Sequence, residues 1–227
     1  NVAVGRNSLV TNTTGSRNVA LGQNAVEYPD TENDNLGIGY NALAGQVAGG
    51  EYNVAIGNLS LDALTSGDDN VALGYNALGA LTTGSDNVAI GSYALDAGTG
   101  SDFNVAIGHN ALTSNTANNC TAVGYQAGKE NTAHELTAFG SKAATNNTSG
   151  GGITAIGREA YNNADTESHN TAIGLNALGG AINGGEYNVA IGNYSLDSLT
   201  TADNNTAVGY NSLGANTTGE DNTAVGR

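Results

Sequence analysis

One short motif, Asn-(Val/Thr)-Ala-(aliphatic)-Gly, returns along the whole chain every 16 to 18 residues, from Gly5 to Gly226. A fixed period of this length marks stacked coils, none of which can bury a core alone. The anchor glycines include Gly22, Gly39, Gly57, Gly74, Gly91 and Gly108 in the first half. The residue before each anchor is always large and apolar, and the one before that is Ala except at Gly37. Three residues past the anchor stands Ala or Ser, and the next residue is usually Leu, as at Leu43, Leu61, Leu78 and Leu95.

Such dense Gly, Asn, Thr and Val make poor helix interiors. The Val-Ala-Ile triplet alternates large and small, the period of a strand. Gly then turns the backbone, and the Ala-Leu pair predicts a second short strand. The Thr, Ser, Gly, Asp and Asn between them are turn formers. The fold class expected is therefore all-β: a parallel β-solenoid of about 17 residues per coil with two short strands per coil. Coils stacked about 4.8 Å apart place each position on its own image. The anchor Asn residues, among them Asn18, Asn35, Asn53, Asn70, Asn87 and Asn104, can then form an amide ladder. Cys120, Leu136 and Ile153 replace three consecutive members and should interrupt it. By parity, the aliphatic column and the Val/Thr column share one face, read as the inner one opposite the Leu column. The Ala column then faces the other way, toward the coil's second wall or a neighbouring chain, with the neighbouring chain preferred.

Above the short period lies a long one. Residues 1–92 match residues 136–227 without a gap, with 49 of 92 positions identical. Residues 1–227 are read as one continuous solenoid segment built from a duplicated eight-coil block. Both ends fall inside a repeat, so the segment is expected to belong to a longer protein.

Composition narrows the partners. Six Lys+Arg against 21 Asp+Glu give a net charge of −15, which would repel nucleic-acid phosphates and anionic membrane surfaces. No apolar run is long enough to cross a bilayer. Cys120 is the single cysteine, so no intrachain disulfide can form.

The motif resembles the head repeats of YadA-like trimeric autotransporter adhesins. It is similar also to the Asn-Thr-Ala-Ile-Gly-Tyr-x-Ala-Leu arrays of bacteriophage tail fibres, on stretches such as 70–78, 170–178 and 205–213. The resemblance covers the whole chain, although adhesin heads use a shorter repeat. It implies a left-handed roll in an extracellular, cell-surface or virion fibre that self-associates as a homotrimer or end to end. It also implies contact with cell-surface glycan or protein.

Catalytic signals are weak, and an enzyme is not expected. His109, His134 and His169 lie in different coils at different repeat positions and make no metal or triad pattern. Gly150–Gly152 lacks the Lys-Ser/Thr ending of a phosphate loop and reads as a turn. The acidic turns raise calcium at Asp69, Asp86 and Asp102 as a minor alternative to simple solvation, and no other cofactor is implied. Tyr40, Tyr75, Tyr125 and Tyr210 each follow an anchor glycine and could stack on sugars or fill an interface. A Thr run at Thr121, Thr137, Thr154 and Thr171 raises ice binding as a lesser alternative, because Val dominates that column elsewhere.

Overall fold

Each triplet before an anchor glycine forms a three-residue strand. The computed structural model describes residues 1–46 and 49–227, and the chain divides into two compact units, Asn1–Asn118 and Asn119–Arg227. The first unit holds β1 (Val2–Val4), β2 (Val19–Leu21), β3 (Leu36–Ile38), β4 (Val54–Ile56), β5 (Val71–Leu73), β6 (Val88–Ile90) and β7 (Val105–Ile107). The second holds β8 (Thr121–Val123), β9 (Thr137–Phe139), β10 (Thr154–Ile156), β11 (Thr171–Ile173), β12 (Val189–Ile191), β13 (Thr206–Val208) and β14 (Thr223–Val225). Within each unit every strand pairs in parallel with the next, and like positions face like positions, as in Val71↔Val88, Ala72↔Ala89 and Leu73↔Ile90 and in Thr154↔Thr171, Ala155↔Ala172 and Ile156↔Ile173. Each unit is thus a β-solenoid of one coil per repeat, and no helix occurs among the described residues.

The second wall of the coil differs from expectation. The Ala-Leu pair forms no strand. Leu43, Leu61, Leu78, Leu95 and Leu112 all adopt left-handed backbone, with φ between 50° and 53°. That conformation costs an ordinary residue about 1–2 kcal/mol. Two gains offset it. Each of these leucines is wholly buried, worth about 1.5–3 kcal/mol per side chain. Its N–H also bonds the next coil, as from Leu78 to the Ala94 carbonyl at 3.0 Å. The turn wall is therefore hydrogen-bonded from coil to coil without being a sheet.

The two faces of the strand wall are also reversed. Ala55, Ala72, Ala89 and Ala106 in the first unit, and Ala138, Ala155, Ala172 and Ala190 in the second, are fully buried inside their own coils. The aliphatic and Val/Thr columns point outward. Ala is required because the Leu column of the opposite wall already fills the thin interior. Gly37, the one exception in the Ala column, illustrates the fit: a methyl there would lie 2.5 Å from Cγ2 of Val26, which stands in the Leu column. The Ala column thus meets the coil's own second wall and not a neighbouring chain.

The amide ladder is present and does more than stack side chains. Oδ1 of Asn70 accepts from the N–H of Asn87 at 3.1 Å, and Oδ1 of Asn87 from the N–H of Asn104 at 3.0 Å. The Asn87 amide also donates to the Ser101 carbonyl of the next coil at 2.7 Å. Asn18, Asn35 and Asn53 repeat both bonds with their own neighbours. These ladder amides are thus satisfied while they tie one coil to the next.

Where the anchor amide is missing, the carbonyl it would bond is still served by other side chains, as Asn12 and Asn115 serve Gly15 and Ala117 beside intact anchors. The Ala133 carbonyl accepts from Asn131 at 2.7 Å and from the Cys120 thiol at 3.2 Å. The Gly150 carbonyl accepts from Asn147 at 2.9 Å, and the Glu167 carbonyl from the Tyr161 hydroxyl at 2.7 Å. Leu136 and Ile153 are buried and fill the vacated volume.

Candidate functional site

With Ala inside, the outer side of the strand wall carries the aliphatic column beside a column that is Val or Leu in the first unit and, Val189 apart, Thr in the second. In the first unit Val2, Val4, Leu21 and Leu73 are exposed, Leu73 to 45%. In the second unit Phe139, Ile156, Ile191 and Val225 are exposed, Phe139 to 43%. Their neighbours in the same columns are mostly half-buried, each shielded only by its copies in adjacent coils. A side chain that tends toward burial lies in contact with water at one coil after another. Contiguous exposed apolar area of this kind marks interaction sites.

Charge follows the same plan. None of the 21 acidic residues lies in the Val/Thr column, in the aliphatic column or directly after an anchor glycine. The column just after the glycine carries Arg6, Tyr40, Tyr75 and His109 in the first unit, and Tyr125, Arg158, Tyr210 and Arg227 in the second. The column just before the anchor Asn carries Asp34, Asp69 and Asp86 in the first unit and Glu135 and Asp221 in the second. An uncharged band therefore runs between an acidic flank and a flank of Tyr and Arg.

Tyr40, Tyr75, Tyr125 and Tyr210 are all exposed on that second flank. Tyr75 packs edge-on against Tyr93 at 5.3 Å, and Tyr93 against His109 at 6.4 Å. In the second unit Tyr194 packs against Tyr210 at 6.0 Å, and the Arg227 guanidinium lies 5.5 Å from the Tyr210 ring centre. The residue before the anchor Asn adds exposed Tyr52 and Phe103 on the other flank.

The acidic residues raised for calcium fall into two different columns. Asp69 and Asp86 directly precede the anchor Asn, whereas Asp102 stands one residue earlier and accepts from the Ser85 N–H at 2.8 Å. Asp68, in the same column as Asp102, accepts from the Glu51 N–H at 2.8 Å. This column is a ladder of side chains that satisfies backbone. Among the described residues no three His, Cys, Asp or Glu converge on one point.

The anchor glycines serve the backbone. Those from Gly22 to Gly108 have φ between 132° and 143°, and a methyl on any from Gly22 to Gly91 would meet the next coil's glycine carbonyl within 2.7 Å. Burial pushes the Cys120 thiol up, which suits a core side chain and not a nucleophile.

Neither family models, nor curated proteins, nor solved structures yield a match to this chain.

Two carboxylates on the turn wall set a pH dependence. Burial raises the Asp96 pKa, with a further contribution from the charge of Asp62, and burial raises Asp62 as well. A raised folded-state pKa stabilises the fold in acid, and that contribution is lost as pH rises through the raised value. Asp34 behaves oppositely: its hydrogen bonds to Arg17, at 2.5 and 2.6 Å, hold it below the usual carboxylate range. Asp96→Asn is therefore expected to raise the thermal midpoint at neutral pH and to lose that advantage in mild acid. Thermal melts of both proteins at the two pH values check this, and a lower midpoint for the variant at neutral pH would refute it.

Proposed function

We propose that this chain is a non-catalytic structural segment of an extracellular or virion surface fibre and that it self-associates through the outer strand wall. The observation that carries this reading is the uncharged band with its exposed aliphatic column, on a chain of net charge −15. A face left to water would be expected to carry the acidic residues that crowd the turns, as solvent-facing solenoid surfaces gain solubility from charge.

The proposed occupant is a second copy of the same chain. The two flanks of the band differ in charge, with Asp69 and Asp86 on one side, where Arg17 pairs with Asp34, and Arg6 with tyrosines on the other. Copies related by rotation about the stacking axis place the acidic flank of one beside the Arg/Tyr flank of the next. Such a contact closes into a ring, the arrangement that the resemblance to trimeric adhesin heads and tail fibres implies. Coil ends expose unpaired strand edges and suit continuation along a fibre.

A receptor-binding module, taking glycan or protein along its side face, is the alternative, and the exposed line of Tyr75, Tyr93 and His109 favours it. The double variant Ile90→Glu with Ile107→Glu separates the two readings. It places charges on the outer face of β6 and β7 and leaves the buried Ala column untouched. The expected result is a fall in mass to that of a single chain with the β-type circular dichroism retained. Unchanged mass would refute self-association through this face.

A further inference from the structure

Within the second unit, one coil breaks the pattern of the acidic flank. The residue before each anchor position there is Asn119, Glu135, Gly152, His169, Tyr187, Asn204 or Asp221, and only Gly152 lacks a side chain. One residue earlier the pattern repeats, with Gly151 standing between His134 and Ser168. Two columns thus miss the same member, and the gap is an open notch of about 480 Å³. Its lining includes His134, Glu135, Ser149, Gly152, Ser168 and His169.

The walls are built rather than accidental. The His169 ring lies flat on Tyr187, with ring centres 4.9 Å apart and planes 4° apart. Its Cδ2 would be 3.2 Å from a methyl on Gly152, so the imidazole leans over the glycine. Gly151 joins the floor to the next coil: its N–H donates to the Ser168 hydroxyl at 3.2 Å, and its carbonyl accepts from His169 at 2.9 Å. Accepting that bond leaves the Ser168 hydroxyl proton available to donate.

We propose that this notch binds a neutral saccharide ring. The volume lies in the range of small-ligand sites. The lining offers donors and acceptors together, hydroxyls from Ser149 and Ser168, the His169 imidazole and the Glu135 carboxylate, as a polyhydroxyl ligand requires. The His169 ring, backed by Tyr187, provides a rigid flat wall of the kind on which a sugar ring can rest. Glu135 and the net charge of −15 disfavour phosphate, sulfate or an acidic sugar. The two histidines and Glu135 do not form a metal-binding group. The notch lies on the flank that borders the strand-wall band, and sugar binding is read separately from the mass that reports self-association.

The full chain can be tested by saturation-transfer NMR with glucose, galactose, mannose, N-acetylglucosamine and lactose as probes. Gly152→Asn fills the notch with the residue that Asn119 and Asn204 supply at the same left-handed position, and Asn tolerates that backbone. His169→Ala removes the flat wall. At least one sugar should bind the unaltered chain at millimolar concentration. Its affinity should fall about tenfold in both variants, while circular dichroism and mass stay unchanged. No signal from any of the five sugars would overturn the proposal, as would equal binding by Gly152→Asn. Zinc binding that depends on His134 and His169, without sugar binding, would overturn it in favour of a metal.

Discussion

Gly91→Ala is expected to cost the first unit more than about 3 kcal/mol, near the limit of what one substitution does to a small fold. Two effects combine. The backbone at Gly91 has φ 132°, a region that is essentially glycine-only and costs other residues about 1–3 kcal/mol. The added methyl would also lie 2.6 Å from the Gly108 carbonyl oxygen and 2.7 Å from its carbon. Those are backbone atoms of the next coil, held by the bond from the Gly108 N–H to the Ile90 carbonyl at 2.7 Å and by the bond from the Val88 N–H to the Asn104 carbonyl at 2.8 Å. No side chain can swing away, so the coil spacing itself would have to open. Gly100→Ala is the control, because a methyl there meets only the Thr83 hydroxyl at 3.2 Å. That change should stay within about 0.5 kcal/mol. Urea denaturation of both variants measures the difference, and a similar small cost at the two glycines would contradict the close coil contact.

Asn87→Ala should be comparably damaging for a different reason. It removes no strain and little apolar contact. Instead it strands the Asn104 N–H and the Ser101 carbonyl, both held by the Asn87 side chain. An unsatisfied buried group costs about 1–3 kcal/mol, so losing both partners implies about 2–6 kcal/mol before any water enters. Denaturant midpoints of the variant and the parent provide the check; a cost below about 1 kcal/mol would show that the ladder contributes little. The chain's own exceptions show which bond matters. At Cys120, Leu136 and Ile153 the anchor amide is gone, yet the next coil's carbonyl is still served by Asn131, Asn147 or Tyr161.

The period, the parallel stacking, the glycine turns and the Asn ladder were all legible in the repeat. Each depends only on what stands at equal intervals. The sense of the strand faces was not legible from alternation, because Val-Ala-Ile states parity without saying which side is inside. The coil's thickness decides that, and thickness depends on the Leu column across the interior. A signal did exist: the Ala column hardly varies, whereas the other two exchange Val with Thr and Ile with Phe, as a partly solvated face allows. The left-handed leucines were missed because nothing in Leu itself favours that backbone. Burial and the coil-to-coil bond select it. The substitutes Asn131, Asn147 and Tyr161 lie in the turn wall, outside the five-residue motif, and reach the vacated bonds only through the curvature of the coil. His134 and His169 occupy adjacent columns two coils apart, a proximity that appears only once the missing side chains of Gly151 and Gly152 are placed between them.

The most direct test of the central claim, that the outer strand wall is an interface between copies of this chain, is the absolute mass of the segment in solution. Light scattering behind a sizing column measures it. The account predicts a discrete multiple of 22.6 kDa, stable on dilution and insensitive to Asp96→Asn. A mass of 22.6 kDa at all concentrations, with the exposed columns of β2, β5, β9 and β10 left in water, would contradict it.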